Sequence, residues 1–131
     1  NGARGRLTLE NDENCYNVID LLYVHKLTNV PIVFDSHHHT FNDSGISGKI
    51  ASDACKETWG SVKPLQHISN VREHILESAN STERRQHSNY IHQVPDYQLD
   101  DILNDVIDCD VEAKLKNIAI DAMRLKFHIK N

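Results

Sequence analysis

Apolar and polar residues along this chain fall into short stretches that switch between a two-residue period and a helical one. Residues 6–10 alternate and suit a strand. Val18, Leu21, Leu22 and His25 follow helical spacing, and Asn29 closes that helix before Pro31. Ile32, Val33 and Phe34 read as a second, buried strand, with imidazoles on a loop beyond it. Residues 47–59 predict a helix with Ile50, Ala51, Ala54 and Thr58 on one face. Residues 64–69 give a weaker third strand ending at His67, and the polar stretch 78–85 reads as a loop insertion. Residues 97–103 form a short helix after Pro95, and residues 106–112 alternate as a fourth strand. Leu115, Ile118, Ala119, Ala122 and Leu125 supply the apolar face of a last helix.

Strand and helix therefore alternate in four βα units, each long enough for a crossover between parallel strands. Four such units are half of a TIM (β/α)₈ barrel, which needs roughly 250 residues. The alternative is an open four-stranded sheet, whose exposed edges are a liability. The chain has 131 residues, which suits a single domain over 1–131 with its own core.

Composition narrows the class. No apolar run approaches the ~20 residues of a membrane span, so no membrane partner is expected. Three cysteines, Cys15, Cys55 and Cys109, are widely separated and lack metal-knuckle spacing. They read as ordinary thiols in a reducing, intracellular compartment, nucleus or cytoplasm. The first residue is not Met and no signal peptide is visible, so a fragment or processed piece is expected. Net charge is −5, which does not suggest a nucleic-acid binder. Metal-ligating carboxylates count in that sum, however, and bound divalent ions would offset it.

The chemistry concentrates at strand ends. Pro31-Ile32-Val33-Phe34 runs into Asp35, and Ser36-His37-His38-His39 follows at once. Glu10 closes the first strand, Asp35 the second, His67 the third and Glu112 the fourth. His38 and His87 lie on loops that could reach the same mouth, where barrel enzymes keep their active sites. Carboxylates and imidazoles clustered there suit two or three divalent ions, which activate water and stabilise a phosphodiester's attacking and leaving oxygens. No Ser-His-Asp or Cys-His grouping and no Gly-rich phosphate loop is evident.

The segments Leu9-Glu10-Asn11-Asp12, Val33-Phe34-Asp35 with its histidines, Thr58-Trp59, His67-Ile68-Ser69, Arg85-Gln86-His87-Ser88-Asn89-Tyr90-Ile91 and Glu112-Ala113-Lys114 occur in this order. Together they resemble the C-terminal half of the UV-damage endonucleases, from about Arg6 to Leu125. The resemblance implies a TIM barrel of which this chain covers the last four βα units. It implies up to three manganese ions, with Mg²⁺ or Zn²⁺ as alternatives. The substrate it implies is damaged double-stranded DNA, cut immediately 5′ to a UV photoproduct to leave a 3′-hydroxyl and a 5′-phosphate. Carried over residue by residue, the metal ligands are Glu10, Asp35, His38, His67, His87 and Glu112. Glu10, Asp35 and Glu112 act catalytically through the metal, with Glu10 and Glu112 bridging ions. His37, His39, Lys63, Arg85 and Lys114 are candidates for supporting the ligands or contacting DNA.

Two departures from the family pattern stand out. Many members have a lysine, which can be carboxylated and bridge metals, two residues before the His67 position; here it is Leu65. Lys63 could replace it only with a shifted register. The N-terminal half-barrel, expected to hold further histidines and the lesion-probing residues, is not part of this sequence. The isolated chain is therefore expected to be weakly active or inactive, with a missing half-barrel or a homo-oligomer as partner. Two other readings compete. Apurinic-site endonucleases and xylose-isomerase-like enzymes share the barrel, and a non-catalytic half-barrel module is the third reading. Among the other histidines, His25, His74, His92 and His128 read as surface or boundary residues. Asp108 and Asp110 share a face with Glu112, and Cys109 reads as packed core.

Overall fold

A computed structural model describes residues 2, 4–73 and 78–130. Its strands are β1 (Leu9–Glu10), β2 (Ile32–Asp35), β3 (Leu65–Ser69) and β4 (Asp108–Glu112). The helices are α1 (Val18–Thr28), α2 (Ser36–His39), α3 (Gly48–Glu57), α4 (Ser81–Arg84), α5 (Asp96–Leu103) and α6 (Asn117–Phe127). The strands form one sheet in the order β1-β2-β3-β4, and every pairing is parallel.

The helix limits follow from local chemistry. Asn17 caps α1 by accepting from the Asp20 backbone N–H, and the Asp20 carboxylate accepts from the Asn17 N–H in return. Asn29 ends α1 in the left-handed conformation at φ 58°. Ser47 caps α3 through the Ile50 N–H.

Register divides the sheet into two faces. Glu10 pairs with Val33, Asp35 with His67, His67 with Asp110, and Ser69 with Glu112. With a two-residue side-chain period, these residues share one face. Ile32, Phe34, Ile68, Cys109 and Val111 occupy the other, under the helices. There Ile32 and Phe34 pack with Val18, Leu21, Ala51 and Cys55. Ile68 packs with Ile91, Val94 and Met123, and Cys109 and Val111 adjoin that cluster. The apolar face anchors the sheet, and the polar face is left to carry chemistry.

Several expectations need correcting. β1 is only two residues long, because Arg4–Arg6 form a 3₁₀ turn. The histidines after β2 lie on a helical turn, α2, and not on a loop. His67 is mid-strand, since β3 runs on to Ser69. The 78–85 insertion contains α4, which Asn80 and Glu83 cap reciprocally. In α3 the buried residues are Ala51, Ser52 and Cys55, while Ile50 is 59% exposed. In α6 they are Ala119 and Met123, while Leu125 is 80% exposed. His74 lies outside the described residues. Among the described residues, no helix is long and apolar enough to cross a membrane.

Candidate metal centre

Asp35 begins the site. It ends β2 in extended conformation and caps α2, with its Oδ1 accepting from the His38 backbone N–H at 2.9 Å. Its other oxygen, Oδ2, is buried and has no hydrogen-bond partner among the described residues. A fully buried carboxylate with one orphaned oxygen is costly unless a cation or donor faces it. The α2 turn places His38 on the same side. His38 and Asp35 lie with Glu10 in a group whose ligand atoms are all within 4.8 Å of one another.

Glu10 belongs to a second such group, with His67 and Glu112. Glu10 Oε1 lies 3.5 Å from His38 Nδ1 and 3.2 Å from His67 Nδ1. Glu112 Oε1 lies 3.7 Å from His67 Nδ1, and its Oε2 lies 3.6 Å from His87 Nδ1. One carboxylate shared between two O/N donor sets is the arrangement a bridging ligand requires, and the donor types suit Mn, Fe or Zn. Five of the six ligands expected from sequence therefore converge in two groups, and His87 flanks them beside Glu112.

The charges respond to one another. Burial pushes the Glu10 carboxyl up, but the close His67 ring and the His38 and His87 charges outweigh it and hold the group below its usual range. The Glu10 carboxylate, 3.2 Å away, raises His67 despite burial, with Glu112 and Asp35 adding to it. His38 is desolvated, yet Asp35, the Asn11 carbonyl, Glu13 and Glu10 together raise it. His37 is lowered, chiefly by burial. Positive charge is thus favoured where carboxylates gather, as a cation site demands.

The supporting residues separate. His37 is buried, with Nε2 3.3 Å from the Arg85 carbonyl and its ring edge-on to His87 at 5.7 Å between centroids. His39 turns towards the helix layer: its ring lies 5.4 Å from that of Phe34 and its Nε2 3.0 Å from the Ile46 carbonyl. Burial there removes it from contact with DNA. Lys63 is also corrected. It pairs with Asp105 at 2.5 Å and Asp108 at 2.9 Å, before β3 and at the start of β4, the end of the sheet away from the site. Arg85 and Lys114 line an open cleft of about 670 Å³ together with His87, Glu112, Lys116 and Asn117. Arg85 also reaches Asn14 and lies 3.8 Å from Glu13. Lys114 and Lys116 precede α6 and so lie on the β4–α6 loop.

Sequence reasoning missed Asn11 and Glu13. Glu13 Oε2 lies 3.6 Å from His38 Nε2, and Asn11 is buried beside Asp35. Their signal was position: both follow Glu10 on the loop leaving a strand tip, where polar side chains face the mouth.

A parallel βα sheet with carboxylates and imidazoles gathered on its non-helical face is the architecture of a partial TIM (β/α)₈ barrel. The crystal structure of SacUVDE superposes with a TM-score of 0.70 at 22% identity, over 96% of this chain and 42% of that one. The chain belongs to the UV-endonuclease UvdE family, whose model matches residues 1–130. It is 35% identical to the UV DNA damage endonuclease of Nostoc sp., over 92% of this chain and 36% of the relative. It is 34% identical to that of Deinococcus radiodurans, over 94% and 38%. The UV-damage endonuclease of Schizosaccharomyces pombe is 28% identical over 98% of this chain and 21% of its own length. The chain thus spans well under half the length of these relatives.

Proposed function

We propose that this chain is the metal-holding part of a DNA repair endonuclease that incises the backbone immediately 5′ to UV photoproducts, leaving a 3′-hydroxyl and a 5′-phosphate. The observation that carries the reading is Glu10, one carboxylate common to two ligand groups on the polar face of the sheet. Bound Mn²⁺, or Mg²⁺ or Zn²⁺ in its place, would supply an activated water and neutralise charge on the leaving oxygen. Glu10, Asp35 and His38 would hold one ion. Glu10, His67 and Glu112 would hold a second, with His87 joining at Glu112. The Asp35 Oδ2 without a partner is the atom best explained by such an ion. The cleft beside Glu112, with Arg85, Lys114 and Lys116 on its walls, would take the phosphodiester backbone.

The test is a chimera in which this chain replaces the homologous segment of the Nostoc sp. relative. With Mn²⁺ it should nick UV-irradiated supercoiled plasmid and spare unirradiated plasmid, and Glu10→Gln should abolish nicking. Equal nicking of abasic and UV-damaged plasmids, or activity unchanged by Glu10→Gln, would overturn the proposal.

A further inference from the structure

Every member of the Glu10–Asp35–His38 group is tied to a single residue that ligates nothing. Asn11 follows Glu10 in the chain and is 1% exposed. Its Oδ1 accepts from the Asp35 backbone N–H at 2.8 Å, and its Nδ2 donates to the Asp35 carbonyl at 2.9 Å. Its own carbonyl accepts from His38 Nδ1 at 2.8 Å. The β1–β2 ladder ends at Glu10↔Val33, so the Asn11 amide adds one further rung two residues beyond it. That rung fixes the height of Asp35 relative to Glu10 across two strands.

Building on the proposed function, we infer that Asn11 is the positioning residue of the metal centre. Its side chain sets the Asp35 backbone and with it the carboxylate, while its main-chain carbonyl receives His38 Nδ1. A carbonyl oxygen can only accept, so neutral His38 carries its proton on Nδ1 and offers its lone pair at Nε2. Asp cannot donate to the Asp35 carbonyl, and Leu, of similar size, would leave both Asp35 backbone groups buried without partners. The side chain acts on metal affinity through groups it holds, and partners of this kind typically govern affinity by about ten- to hundredfold.

The experiment uses the 131-residue chain at pH 8. Mn²⁺ affinity is read from loss of the free-ion EPR signal, and the His38 ring protonation from ¹⁵N NMR of the metal-free chain. Asn11→Ala should weaken Mn²⁺ binding about ten- to hundredfold while the His38 tautomer, held by a main-chain carbonyl that alanine retains, stays as in wild type. Ser52→Ala controls for destabilisation alone, because Ser52 bonds Gln66 under the helices, away from the site. It should leave both readouts unchanged. Wild-type affinity in Asn11→Ala overturns the inference, as does an equal loss in Ser52→Ala. A wild-type chain that binds no Mn²⁺ overturns the metal reading as well, which separates the two failures.

Discussion

The Glu10 carboxylate lies 3.2 Å from His67 Nδ1 although β2 runs between their strands. The pair meets because Glu10 is in register with Val33 and His67 with Asp35, all on one face of a parallel sheet. Where His67 is protonated, the contact is an imidazolium–carboxylate pair, and the shifts of its partners have opposite signs.

His67 is raised in the folded chain, so its contribution is fully present below its unfolded pKa of about 6.5 and is lost as pH rises through the folded value. Glu10 is lowered, so its contribution is present above about pH 4.5 and is lost as pH falls through the folded value. The metal-free chain should therefore gain most from this pair between about pH 4.5 and 6.5. Urea midpoints across pH 3.5–8 should show the bell in wild type and a flatter profile in Glu10→Gln. Mn²⁺ reverses the trend above that window, because it must displace the His67 proton and its affinity should rise with pH.

Asp35 has two jobs that one substitution separates. Its Oδ1 caps α2, and its buried Oδ2 makes no hydrogen bond to the described residues. Asn caps helices about as well as Asp. Asp35→Asn should therefore leave the metal-free urea midpoint at or above wild type while lowering Mn²⁺ affinity at least about tenfold. Asp35→Ala should lose affinity and about 1 kcal/mol of stability as well. Equal midpoints for the two variants would show that the cap is unimportant.

The order of strands and helices was legible in the sequence because each βα unit carries its own stop signals, such as Asn29 before Pro31. Glu10, Asp35, His67 and Glu112 were legible as a set because a parallel sheet brings alternate residues of every strand to one face. The α2 turn was not, since three histidines look like loop chemistry until Asp35 is seen to cap them. Helix faces were misread in part: in α3 Ser52 takes the buried side while larger Ile50 faces out, and in α6 Ala119 is buried as expected but Leu125 faces out and Met123 takes its place. Close packing selects for fit as well as for hydrophobicity. Asn11 escaped notice because its role lies in hydrogen bonds to a strand 24 residues away.

Fit also decides Gly48. A Cβ built there would overlap the Tyr97 hydroxyl and lie 3.1 Å from its Cζ. Tyr97 belongs to α5 and packs on the α1–α3 core, where burial pushes its hydroxyl up to about 12. Gly48→Ala should destabilise the chain by about 1–3 kcal/mol despite alanine's better helix propensity. Adding Tyr97→Phe, which removes the overlapping oxygen, should recover part of that loss in thermal unfolding.

Two lysines that look alike in the sequence part company in the structure, and this gives a paired test. Lys63 is held by Asp105 and Asp108 at the far end of the sheet, whereas Lys114 lines the cleft beside Glu112 and His87. A phosphate contact adds about 0.9 to the slope of log affinity against log salt on duplex DNA. In the chimera with the Nostoc sp. relative, Lys114→Ala should weaken binding to UV-damaged duplex and reduce that slope by about one. Lys63→Ala should leave affinity, slope and Mn²⁺ binding unchanged, because its charge is already neutralised and faces away from the mouth. Should Lys63→Ala instead lower Mn²⁺ affinity, β3 would have to sit in the shifted register that brings Lys63 to the Leu65 position, and the Asp35–His67–Asp110 row would no longer align.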